Sequence, residues 1–148
     1  MCGYFLVWFQ VPHTAFQPPA AVLFGAPGIV FAVFTTSLAA VSVWCMASAV
    51  RTLGKQWAVA ARLVESHKLI TEGPYAYVRN PIYTGMLGIL IATGLAMEHW
   101  IATAVAVIIF CVGLVIRMRI EEKLLHAAFG AEFDDYAKRV PAVLPGVY

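Results

Sequence analysis

Two short runs of this chain carry residue types able to do chemistry, and each sits at the edge of a long apolar stretch. Arg117 and Glu121 are four residues apart, just past the apolar run from Trp100 to Ile116. A helix through them puts both on one face. Ionisable groups at membrane depth usually face the protein interior and mark a site. The competing reading is a juxtamembrane helix end whose long side chains reach to the interface, and the neighbouring Arg119 and Glu122 favour it. The second run reads Gly73-Pro74-Tyr75-Ala76-Tyr77-Val78-Arg79-Asn80-Pro81-Ile82-Tyr83. It opens on a turn signal, Gly-Pro. Its three tyrosines supply flat rings bearing hydroxyls, and Asn80 supplies both a donor and an acceptor. Such ring faces suit an adenine or a cationic sulfonium. An aromatic belt beside a basic stop signal is the plainer alternative.

Other chemistries lack their residues. No GxGxxG or GxxxxGK[ST] occurs, so dinucleotide and P-loop sites are excluded. His13, His67, His99 and His126 have no metal-ligand spacing, and Cys2, Cys45 and Cys111 form no CxxC pair, so no metal site is expected. A net charge of +2 with no basic stripe argues against nucleic acid as a partner.

The elements that must position the two runs are apolar helices. The chain is 61% hydrophobic and 12% charged, against about 25% charged in soluble domains. No Lys, Arg, Asp or Glu precedes Arg51. The 148 residues read as one integral membrane domain, all-α, a helical bundle with about three spans. Ala20 to Val50 is long enough to span. Ile82 to Met97 and Trp100 to Ile116 form a tight hairpin, parted only by Glu98 and His99, and each is slightly short of a full span. Asn80 before Pro81 is a good helix start. Met1 to Val11 lacks a basic signal-peptide end and breaks at Pro12, so it is expected uncleaved and either interfacial or packed on the bundle. Gly85, Gly88 and Gly94, with Ala92, read as a close-packing surface rather than as chemistry.

All ten basic residues lie in the segment from Arg51 to Arg79 or in the tail from Arg117. The positive-inside rule makes both cytoplasmic, in a bacterial-type inner membrane. The hairpin then brings the two chemistry-bearing runs to one membrane surface. Past Arg117 the helix is expected to continue to about Ala128 and stop at Gly130. A short amphipathic helix, Ala131 to Arg139, and a proline-containing tail follow.

Read together, these residues resemble the isoprenylcysteine carboxyl methyltransferase family and its phospholipid methyltransferase relatives. The matching elements are His67-Lys68-Leu69-Ile70, Gly73-Pro74-Tyr75, Arg79-Asn80-Pro81-Ile82-Tyr83 with Gly85, Arg117 with Glu121-Glu122, and Leu125, Phe129-Gly130, Tyr136 and Pro141. They run in order from about Leu53 to Pro145. The resemblance implies a membrane enzyme that moves a methyl group from S-adenosylmethionine to a lipophilic acceptor. It implies that His67, Lys68, Leu69, Ile70, Tyr75, Asn80, Pro81, Ile82, Tyr83 and Glu121 line the cofactor site. Arg117 would meet the substrate, and Arg117 and Glu121 together would form the catalytic pair. Asn80 stands where that family usually carries histidine. An amide keeps the hydrogen bonds but takes no proton near neutral pH.

Physical chemistry agrees with these implied roles. Methyl transfer needs donor and acceptor held in line and water excluded, and it needs no metal. A carboxylate suits the cofactor's amino group, and a guanidinium suits an acceptor carboxylate. Two other readings stay open: a phospholipid head-group amine as acceptor, and a non-catalytic membrane subunit that keeps the fold.

Overall fold

The computed structural model describes residues 25–54, 69–97 and 100–144. Every regular element among them is helical: α1 (Ala26–Leu53), a single 3-10 turn (Gly73–Ala76), α2 (Pro81–Ala96), α3 (Trp100–Phe129) and α4 (Ala131–Arg139). The expected N-terminal interfacial segment, Met1 to Val11, lies outside the described residues.

α1 and α3 are long and apolar enough to cross a membrane. At about 1.5 Å per residue the 28 residues of α1 reach beyond a hydrocarbon layer of about 30 Å. Their apolar side chains point outward in quantity: Val30 is 68% exposed, Trp44 68%, Ile101 83% and Ile108 63%. Water would not tolerate so much apolar surface on so short a chain, and lipid does. The protein is therefore helical and membrane-integrated. α2, with 16 residues, is shorter than a full span, as its apolar run predicts, and a tilt or a local thinning of the bilayer accommodates such a helix.

The described residues divide into two compact units. The first comprises the chain up to Val43 together with Met86–Gly113. Here Leu90 of α2 and Ala106 of α3 are fully buried against each other, flanked by Met97, Val107 and Phe110. Small residues let the backbones approach. A β-carbon at Gly88 would run into the Ser42 hydroxyl, and one at Gly94 into the Thr103 side chain. The close-packing expectation for these two glycines is thus met, in the form that membrane helices use where burial from water supplies no force.

The second unit comprises Trp44–Gly85 and Leu114–Tyr148. It holds both chemistry-bearing runs. α3 continues unbroken past its apolar stretch to Phe129, and Gly130 takes a positive φ of 54° that ends it. α4 then lays Phe133 and Tyr136 inward, where they join Val140 and are covered by Leu69, Leu125 and Phe129. Gly73, also at positive φ, starts the 3-10 turn with its α-carbon against Thr52, so a side chain there is excluded twice over.

Candidate active site

The site is built where the start of α2 meets the charged end of α3, inside the second unit. Proline at the first position of α2 presets the helical backbone. Its side chain is fully buried, and its carbonyl accepts the Cys45 thiol at 3.5 Å. Two residues on, Tyr83 points its hydroxyl at α3. That hydroxyl donates to Glu121 Oε1 at 2.9 Å. Arg117 Nε lies 2.9 Å from the Tyr83 oxygen and 2.8 Å from the same Oε1, so its single proton is shared between them. The three side chains close a ring.

The ring settles which residues of the α3 end face inward. At about 100° per residue, Arg117 and Glu121 both fall about 160° from Arg119 around the helix. They share a face with buried Leu114. Glu122 is not a solvated helix end either: its carboxylate sits 2.8 Å from Arg79 Nη1, with side-chain exposures of 32% and 14%. Sequence reading had no signal for this pair beyond the presence of both charges, because 43 residues separate them in the chain.

What the ring leaves over is as informative as what it uses. Among the described residues, Glu121 Oε2 and both terminal nitrogens of Arg117 make no hydrogen bond. The Arg117 side chain is 66% exposed. A guanidinium held by Nε alone presents its two remaining NH₂ groups as a fork, the geometry that grips a carboxylate or phosphate bidentately. Arg79 Nε is buried without an acceptor among the described residues.

Tyr75 is buried within the electrostatic reach of Glu121 and Tyr83. Burial, and then the negative fields of Tyr136, Glu121 and Tyr83, push its phenol well above the ordinary tyrosine range. Its hydroxyl has no hydrogen-bond partner among the described residues. Its carbonyl accepts the Tyr136 hydroxyl at 2.6 Å, which ties α4 to the 3-10 turn. Burial pushes the Tyr136 phenol up to about 12, with Arg79 pulling the other way. A raised phenol pKa gives stability that is complete below about pH 10 and is lost as pH rises through 12. Tyr136→Phe is expected to cost about 1–2 kcal/mol at neutral pH by leaving that carbonyl unpaired. It is also expected to shrink the alkaline loss of stability, as read by denaturation at pH 8 and at pH 11.

The remaining predicted site residues fall in three places. Leu69 and Ile70 lie in an irregular, half-buried stretch whose backbone groups make no hydrogen bond among the described residues. Ile82 is half-buried on the first turn of α2. Asn80 holds the tail: its side-chain amide and its backbone N–H both donate to the Ala142 carbonyl at 3.0 Å. Arg79 N–H donates to the Pro141 carbonyl at 2.8 Å, and the Thr84 hydroxyl to that of Val143 at 2.7 Å. The tail is thereby pinned along the start of α2. No residue type in the tail announces this, since the acceptors are all main-chain. His67 and Lys68 lie outside the described residues.

Comparison with known proteins now meets this geometry. Residues 30–132 match the phospholipid methyltransferase family, and the chain belongs to it. Among curated proteins it is similar to the protein-S-isoprenylcysteine O-methyltransferase of Schizosaccharomyces pombe, 31% identical over 59% of this chain and 37% of that protein. It is also similar to the cobalt-zinc-cadmium resistance protein CzcN of Cupriavidus metallidurans, 36% identical over 64% of this chain and 44% of that protein. Protein-S-isoprenylcysteine O-methyltransferase B of Arabidopsis thaliana is 31% identical over 68% of this chain and 52% of that protein. The chain thus spans about half or less of the length of these relatives.

Proposed function

We propose that the protein is an S-adenosylmethionine-dependent methyltransferase acting on a lipophilic carboxylate at the cytoplasmic face of the membrane. The observation that carries this reading is the Arg117–Tyr83–Glu121 ring, which holds, side by side, a carboxylate oxygen and a guanidinium fork that are both free among the described residues.

The residues present fit the cofactor. Its amino-acid end is a zwitterion, and the unit offers Glu121 Oε2 for an ammonium and the buried Arg79 Nε, without an acceptor among the described residues, for an anion. The backbone of Leu69 and Ile70, unpaired among the described residues, offers donors and acceptors to an adenine edge. Tyr75 offers an aromatic ring in the same unit. His67 and Lys68 extend the same segment, and Asn80, Pro81 and Ile82 shape its border. When bound, the cofactor supplies a methyl group already activated on a sulfonium. The chain's own residues hold, orient and exclude water. Glu121 balances positive charge, Tyr83 fixes the Glu121 carboxylate, and Arg117 grips the acceptor carboxylate. The relatives named O-methyltransferases support a carboxylate over a head-group amine. The basic residues at the site's end of the helices support a cytoplasmic orientation.

Titration of the detergent-purified protein with S-adenosylhomocysteine by calorimetry tests this. Micromolar binding is expected, weakened roughly tenfold to a hundredfold in Glu121→Ala and in Tyr83→Ala. A folded wild-type protein that binds nothing would overturn the enzyme reading in favour of a non-catalytic membrane subunit. Labelled methyl appearing on phospholipid head groups would move the acceptor from carboxylate to amine.

A further inference from the structure

The charged end of α3 carries a second set of basic residues that the proposed chemistry does not use. Arg119 and Lys123 are exposed and have no ion-pair partner among the described residues. Around the helix they fall within an arc of about 100° that also holds Val115 and Ile116, which are 41% and 58% exposed. That arc is the outward, lipid-facing side of α3 and lies opposite Arg117 and Glu121. On it the residue types change abruptly, from branched apolar side chains to cations. The change marks the level at which hydrocarbon gives way to head groups. Ile120 and Leu124, 56% and 43% exposed, flank the two cations and keep an apolar margin beside them.

α1 repeats the pattern independently. Trp44 is 68% exposed, and Arg51, seven residues on, falls within about 20° of it around the helix. Arg51 is exposed and without an ion-pair partner among the described residues. An indole followed by a cation is the usual sequence of groups through a membrane interface. The acids carried by these two helices are held, Glu72 and Glu132 lying off them. Glu121 is held by Arg117 and Tyr83, and Glu122, at the edge of the outward arc, by Arg79. Among the described residues, the outward faces of α1 and α3 therefore present Arg51, Arg119 and Lys123 at head-group level with no acid of either helix paired to them. Neutral zwitterionic lipid offers them nothing in particular, whereas a phosphodiester with no balancing amine is their complement.

We propose that Arg119 and Lys123, with Arg51 on α1, bind the phosphate head groups of anionic phospholipids. The proposal rests on the membrane placement of α1 and α3 and not on methyl transfer. Arginine takes a phosphate bidentately, and the flexible lysine one turn away follows it as a point charge. Because Arg117 and Glu121 stand on the same two turns, a head group bound outside also stiffens the segment that carries the ring inside.

The test uses the full chain in nanodiscs of phosphatidylcholine, alone or with one third phosphatidylglycerol. Phosphatidylglycerol is expected to raise the unfolding midpoint by about 4 °C, an effect that high salt removes. In Arg119→Gln/Lys123→Gln the shift disappears while the midpoint in pure phosphatidylcholine stays unchanged. Arg119→Lys, which keeps the charge, retains most of it. An equal shift in the double variant, or no shift in the wild type, would overturn the proposal. So would an equal shift produced by soluble glycerol phosphate in phosphatidylcholine discs, which would make this a site for free anions. None of these outcomes depends on whether the protein binds S-adenosylhomocysteine.

Discussion

Arg117→Ala is expected to lower kcat/KM for a carboxylate acceptor about a hundredfold or more, while S-adenosylhomocysteine affinity stays within roughly threefold. The asymmetry follows from how Arg117 is held. Only its Nε enters the ring with Tyr83 and Glu121. Removing the side chain takes that one shared proton from Glu121, which keeps the Tyr83 hydroxyl. It takes the whole NH₂ fork from the acceptor. A bidentate charged contact is worth about 3 kcal/mol, or a little over a hundredfold. Arg117→Lys restores the charge without the fork and should recover only part of the loss. Steady-state kinetics beside calorimetry on the same preparations gives the comparison. Equal damage to both quantities would show that Arg117 serves the cofactor side, and the division of roles between it and Glu121 would fall.

Gly94→Leu is expected to abolish assembly of the helical hairpin, whereas Gly113→Leu on α3 is expected to leave it intact. The two glycines lie in the same unit and differ in surroundings. At Gly94 even a single β-carbon meets the hydroxyl, the methyl and the β-carbon of Thr103. Those atoms belong to a short, buried, β-branched side chain that has nowhere to swing. Separating α2 from α3 there also opens the contact between Leu90 and Ala106. Overpacking of this kind costs about 1–3 kcal/mol where neighbours can shift, and more where they cannot. At Gly113 a β-carbon meets nothing within 4 Å, and leucine is the better helix former by nearly 1 kcal/mol. Thermal unfolding monitored by size-exclusion in detergent separates the cases. A Gly94→Leu protein with an unchanged midpoint would mean that the two helices do not depend on this approach.

Much of the fold was legible because it rests on signals that are local and repetitive. The apolar runs set the helices, Gly130 ended α3 as expected, and the amphipathic stretch became α4 over Ala131–Arg139. The hairpin then allowed Tyr83 and Glu121, 38 residues apart, to be assigned to one surface, and their hydrogen bond places them together. Periodicity also separates Arg117 from Arg119 once the orientation of α3 is known, but it cannot supply that orientation in a run that is apolar all round. Two features were beyond reach for a different reason. Glu122 looked like solvated charge beside Arg119, and its partner Arg79 belongs to the other run. Asn80 starts α2 as expected, its carbonyl accepting the Thr84 N–H, but nothing showed that its amide also reaches a main-chain carbonyl 62 residues away. A carbonyl is common to every residue, so no letter in the sequence points to it.

That anonymity has a mutational side. Because Pro141, Ala142 and Val143 are all gripped through their carbonyl oxygens, and of the three only Pro141 is also buried, the segment records its spacing more than its spelling. Substitutions there leave the acceptors in place, proline included, since the atom it lacks is a donor. Deleting or inserting one residue after Val140 instead puts every carbonyl out of step with Arg79, Asn80 and Thr84 together. Such a stretch tolerates a change of side chain at Ala142 or Val143 far better than a change of length.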